Sequence, residues 1–93
     1  MNTRQQDIVI SRKEAIDYYA HSKYNSHIGR VVAKGMLDLD YTYSQLAKIS
    51  GLKDSNNVRL IVRGQRRDPQ FSSVVKLAKA LDLSLDKFLE EKI

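Results

Sequence analysis

From Thr42 to Leu89 the chain breaks into four short runs in which apolar residues recur at helical spacing, each bounded by a capping residue or a breaker. Thr42 opens the first, because its hydroxyl can accept from a free amide of a first helical turn. That run carries Leu46 and Ile49 inward and ends near Ser50-Gly51, where glycine tolerates the left-handed conformation of a tight helix exit. The second starts around Asp54 or Ser55, either of which can cap, and stops at Gly64. Gln65-Arg66-Arg67-Asp68 is then loop, and Pro69 stands at a helix entrance. Phe71, Val74, Val75, Leu77, Ala78 and Leu81 supply the apolar face of the third run. Ser84 caps a last helix that buries Leu85, Phe88 and Leu89. The four Gly and single Pro stand at punctuation points, so the expected fold class is all-α, a compact helical bundle rather than a sheet-rich fold.

Upstream, Ser11-Arg12-Lys13-Glu14 matches a capping box, which predicts a short helix to about His21 with Ala15, Ile16 and Tyr19 near one face. A second helix is expected from about Ser26 to Leu37, with Ile28, Val31 or Val32, and Gly35 at helical spacing. The apolar run Ile8-Val9-Ile10 reads as a strand, an arm or a docking segment. No repeat or Pro-, Gly- or Ser-rich linker divides the chain. The expected organisation is an N-terminal extension with a short helix over residues 1–27 and a main domain over 28–93.

A chain of 93 residues suffices for one small core, and an apolar share of 42% argues against intrinsic disorder. The absence of Cys excludes disulfides and thiolate metal sites and fits a reducing cytosol. No apolar run has signal-peptide length, and none approaches the roughly 20 residues that span a bilayer. A soluble cytoplasmic protein is expected, with no membrane partner. The net charge is +5, and its distribution says more than its size. Between Tyr43 and Arg67 stand Lys48, Lys53, Arg59, Arg63, Arg66 and Arg67 against the single acid Asp54, whereas Asp82, Asp86, Glu90 and Glu91 gather towards the C-terminus. A localised basic patch is either a solvated charged surface or the electrostatic footprint of a nucleic-acid binder.

Placement decides between the two. Ser44-Gln45-Leu46-Ala47-Lys48-Ile49-Ser50-Gly51-Leu52 reads as the first half of a helix-turn-helix, and Val58-Arg59-Leu60-Ile61-Val62-Arg63-Gly64 as its recognition helix and stop. At about 100° per residue, Val58, Ile61 and Val62 fall on the side that joins Leu46 and Leu52 in the core. Asn56, Arg59, Leu60 and Arg63 fall opposite. Arg can chelate guanine O6 and N7, Asn can chelate adenine N6 and N7, and Leu60 can touch a thymine methyl. The expected base-contacting set is therefore Ser55, Asn56, Arg59, Leu60 and Arg63. Asn56 alternatively serves only to start the helix, and Arg63 alternatively meets a phosphate or acts as a favourable cation at the helix C-terminus. Thr42, Tyr43, Lys53, Asn57, Arg66 and Arg67 are the expected backbone-contacting set, with Asn57 pointing sideways and Tyr43 open to ordinary partial burial.

These residues resemble the Cro/C1-type helix-turn-helix family, the XRE-like repressors. Thr42, Leu46-Ala47, Gly51, Val58, Ile61, Gly64 and Pro69 match it. So does the stretch Val75-Lys76-Leu77-Ala78-Lys79-Ala80-Leu81-Asp82-Leu83-Ser84-Leu85-Asp86-Lys87-Phe88-Leu89, its most specific part. The resemblance covers about 28–89 and implies a lambda-repressor-like five-helix DNA-binding domain, here with an extra N-terminal helical segment, acting as a dimer on an operator of two-fold symmetry. Four features depart from the family. The Gly51-to-Val58 and Gly64-to-Pro69 connections are each one residue longer. Tyr43 stands where Gln is frequent. Val62 and Met36 occupy a usual Glu and a usual Arg slot, which implies apolar packing in place of a buried ion pair.

The function expected from this is a transcriptional regulator, a repressor of phage, mobile-element or chromosomal origin, with double-stranded DNA as partner, a homodimeric state and nucleoid association when bound. The alternative is an antitoxin that binds a toxin and represses its own operon, for which residues 1–27, with Ile8-Val9-Ile10 and Tyr18-Tyr19, offer a partner surface; the same segment alternatively just packs over the core. An enzyme is not expected. His21 and His27 are the only histidines, with no acidic pair placed to make a metal or catalytic site, and no glycine loop cradles phosphate, so neither cofactor nor metal is expected.

Overall fold

A computed structural model describes residues 12–89, and among them the chain forms six helices and no strand. These are α1 (Arg12–His21), α2 (His27–Leu39), α3 (Tyr43–Ser50), α4 (Ser55–Val62), α5 (Phe71–Ala80) and α6 (Leu85–Leu89). The all-α fold class holds, with five helices from α2 onward and α1 added in front. The expected Ser11 cap, the Ile8-Val9-Ile10 run and residues 90–93 lie outside the described residues.

Each boundary has a local cause. Ser26 caps α2 by accepting from the Gly29 amide at 2.9 Å. This helix runs two residues past the expected Leu37, to Leu39, because Asp40 adopts φ 59° and returns its amide to Leu37 and Met36. Pro69 does not stand in the first turn of α5. Gln70 is the N-cap without a side-chain bond, and the buried Pro69 precedes it. Ser84 performs the expected capping of α6, accepting from the Asp86 amide at 3.1 Å.

One core runs through all six helices. Ile16 and Ala20 of α1, Val32, Ala33 and Met36 of α2, and Leu46 and Ala47 of α3 are buried in it. Val58, Ile61 and Val62 of α4, Val74, Leu77 and Ala78 of α5 with Leu81, and Phe88 of α6 complete it. Met36 and Val62, the two residues in the usual ion-pair slots, are both buried apolar members. Three inward assignments are corrected. Ile49 is 52% exposed, because α3 turns Leu46 and Ala47 to the core and Ile49 lies about 200° round the helix from Ala47. Phe71 is 63% exposed, standing at the first residue of α5, beyond the layer that Val74 begins. Leu89 is 61% exposed, since the short α6 turns only Phe88 fully inward.

Candidate nucleic-acid interface

The start of α3, the turn after it and the start of α4 are set by local hydrogen bonds. Thr42 Oγ1 accepts from the Gln45 amide at 3.1 Å, and the Thr42 amide donates to Gln45 Oε1 at 2.8 Å. The expected N-cap is thus a full capping box, whose Gln45 half the sequence reading missed although the spacing displays it. Gly51 (φ 85°) ends α3 and gives its amide to Ala47 and Lys48. Two further amides, of Leu52 and Lys53, converge on the Ala47 carbonyl at 3.0 and 3.2 Å. Lys53 adopts φ 68°, so the turn that is one residue longer than the family pattern contains a lysine in the left-handed region. Asp54 is the N-cap of α4, its carboxylate accepting from the Asn56 amide at 3.0 Å.

Val58, Ile61 and Val62 then seat α4 in the core, as the face assignment requires, and leave Asn56, Arg59 and Arg63 exposed. Leu60 is half-buried rather than an open apolar residue, and its carbonyl accepts from the Gln65 and Arg66 amides at 2.9 and 3.0 Å. An open cleft lined by Thr42, Tyr43, Ser44, Ser55, Asn56 and Arg59 joins the amino-terminal ends of α3 and α4 into one surface. Within it Arg59 Nη2 donates to Asn56 Oδ1. A second cleft, lined among others by Asn56, Asn57, Arg66 and Ser73, opens between α4 and α5. Asn57 is half-buried beside it, with an amide oxygen shielded from solvent and lacking a hydrogen-bond partner. Lys53, Arg66 and Arg67 are exposed.

Arg63 lies one residue beyond α4, at its C-cap, and turns towards α1. Its Nε donates to the Tyr19 hydroxyl at 3.1 Å, and its guanidinium sits 5.5 Å from the centroid of the Tyr19 ring. The hydrogen bond to the Tyr19 hydroxyl, with a smaller contribution from Tyr43, raises the Arg63 pKa above its ordinary value. Arg67 likewise reaches the Tyr24 carbonyl, at 3.4 Å.

Sequence reasoning missed the residue that organises this end of α4. Asn25, 6% exposed, donates from Nδ2 to the carbonyls of Val62 at 2.8 Å and Tyr19 at 2.9 Å. Its Oδ1 accepts from the Ser26 amide at 2.8 Å. Arg30 secures the same loop by donating to the Ser22 and Asn25 carbonyls at 3.1 and 2.7 Å. Two glycines close around it. A Cβ on Gly29 would lie 2.7 Å from the Ile61 carbonyl oxygen, so glycine lets α2 approach the backbone of α4. Gly64 takes φ 78° with its α-carbon against Asn25. One polar residue among others in the loop 22–26 carries no periodicity that would have marked it.

No helix among the described residues is long and apolar enough to cross a membrane. A family model described as Helix-turn-helix matches residues 32–88, from within α2 to within α6. Comparison with curated proteins and with solved structures returns no match. The match spans both helices of the α3–turn–α4 unit together with α5 and parts of α2 and α6, and the chain belongs to the Cro/C1-type helix-turn-helix family of DNA-binding domains.

Proposed function

We propose that the chain is a sequence-specific transcriptional regulator of double-stranded DNA, a repressor acting as a homodimer on an inverted-repeat operator. The observation that carries this reading is the shared outward surface of α3 and α4, where Asn56 and Arg59 stand exposed beside Thr42, Tyr43, Ser44 and Ser55. Eight residues of α4 rise about 12 Å, a length that fits a major groove about 12 Å wide. Ser55, Asn56, Arg59 and Leu60 face the base edges, while Arg63, at the C-cap of α4, is engaged by Tyr19 and reaches bases only if it leaves that contact. Thr42, Tyr43, Lys53, Asn57, Arg66 and Arg67 position the domain on the phosphates. Two subunits then read half-sites roughly one helical turn apart.

Selection of duplexes from a random pool, followed by salt titration of the winner, tests this. Enrichment of a short inverted repeat, bound with an affinity that falls steeply as salt rises, is the expected outcome. Salt-sensitive binding without an enriched motif removes the sequence-specific part of the reading. The antitoxin reading draws support from Tyr18 and Tyr24, 60% and 76% exposed on α1 and the turn after it, because aromatic residues are enriched at protein interfaces. Co-purification with a small protein encoded alongside favours it, and a lone dimer that binds DNA tightly counts against it.

A further inference from the structure

We infer that Asn56 is a positioning residue for Arg59, so that the two side chains act as one unit selecting a single guanine. This rests on α4 being the recognition helix, and it assigns Asn56 a different role from independent adenine reading. Asn56 and Arg59 are three residues apart on one helix, both exposed, with Arg59 Nη2 donating to Asn56 Oδ1. Asn56 is itself anchored in the first turn of α4, where Asp54 accepts its amide. Among the described residues Arg59 makes no ion pair, so its charge is not spent on a carboxylate.

The donor geometry of arginine makes the pairing productive. A guanidinium has five N–H donors arranged along two forked edges, and each edge uses one of the two Nη2 hydrogens. Asn56 engages one of them. The other edge keeps both of its hydrogens and can chelate O6 and N7 of guanine. Adenine chelation by Asn56 would instead require its oxygen to accept from N6 while its amide donates to N7. That oxygen already receives a cationic donor, and a charge-assisted bond is about twice as strong as a neutral one. Holding the guanidinium before docking also lowers the conformational cost of fixing a long side chain on the duplex. Asn56 therefore sharpens selection at the base pair that Arg59 reads.

The test is competition binding of the full chain to duplexes carrying each single base-pair change within its selected half-site. Arg59→Ala should erase a roughly 5–150-fold preference at one G·C pair. Asn56→Ala should weaken the preference at that same pair, with the double variant losing no more there than Arg59→Ala alone. Asn56→Asp keeps an acceptor for Arg59, so it should retain the guanine preference even while added negative charge lowers affinity for every duplex. Circular dichroism melting of Asn56→Ala should stay close to wild type, which separates the effect from misfolding. Loss of preference at a different base pair in Asn56→Ala, or an unchanged profile, overturns the inference and leaves the regulator reading standing. A wild-type chain that enriches no sequence overturns both.

Discussion

Asn25→Ala removes a side chain that makes three hydrogen bonds to backbone groups, and its cost can be worked from those groups. The Val62 carbonyl and the Ser26 amide are bonded at buried positions, whereas the Tyr19 carbonyl is partly buried. A buried backbone group stripped of its partner costs about 1–3 kcal/mol, so the two buried groups together cost ~2–6 kcal/mol. Alanine also leaves space beside Gly29 and Gly64, and water that enters there relieves part of the penalty. The expected destabilisation is about 3 kcal/mol, which for a domain of this size lowers Tm by ~12–24 °C. Thermal unfolding followed by circular dichroism, checked by urea titration, reads it directly. Asn25→Asp should be at least as harmful at neutral pH, since a carboxylate would place negative oxygen against the carbonyls that the amide nitrogen now serves. Ionisation of that acid is disfavoured in the folded state, so its pKa is raised on folding and the variant should regain stability as pH falls. A Tm loss below ~4 °C for Asn25→Ala, about 1 kcal/mol, would refute the argument that this amide holds α1 to the end of α4.

Lys53→Gly should raise stability by about 1 kcal/mol, because a non-glycine residue at φ 68° is strained by more than glycine costs in chain entropy. The same variant should shallow the salt dependence of DNA binding by about one phosphate contact, and a steeper or unchanged slope removes Lys53 from the backbone-contacting set. Gly64→Ala should cost about 2–3 kcal/mol through left-handed strain and contact with Asn25. Its double variant with Asn25→Ala should fall short of additivity, because the new Cβ would lie 2.4 Å from an Asn25 oxygen that is no longer there. Arg59→Ala should lose about 1–3 kcal/mol of discrimination at one base pair, whereas Arg67→Ala should weaken binding to all sequences alike; equal sequence-blind losses from both would end the base-reading role of Arg59.

The parts of this fold that were legible are those written in local chemistry. Thr42, Gly51, Asp54, Gly64 and Ser84 act within a few residues of themselves, and their types and spacings mark α3, α4 and α6 without knowledge of the rest. The core face of α4 was equally legible, since Val58, Ile61 and Val62 share one side of so short a helix and Asn56 and Arg59 the other. Ile49, Phe71 and Leu89 failed because periodicity assigns a residue to a side of a helix and is blind to where the neighbouring layer ends. Asn25 was illegible for a different reason. Its bond to Val62 spans 37 positions and the Arg63–Tyr19 bond spans 44, so both depend on how helices pack.

The two ends of α4 are therefore held by different means. At its amino end Asp54 and the Gly51–Lys53 turn fix the helix through bonds to its immediate neighbours. At its carboxyl end the Val62 carbonyl and the Arg63 side chain are held by Asn25 and Tyr19, upstream of the residues the family model matches. A helix of eight residues is too short to hold its conformation alone, for isolated helices below ~12–15 residues are marginal in water. Its direction must come from whatever grips both ends. α1 contributes Ile16 and Ala20 to the common core and supplies the carboxyl-end grip through Tyr19 and the loop that carries Asn25. Any change that loosens α1 should thus reach the surface proposed to meet DNA through the tilt of α4, even though none of the residues proposed to read bases lies on α1.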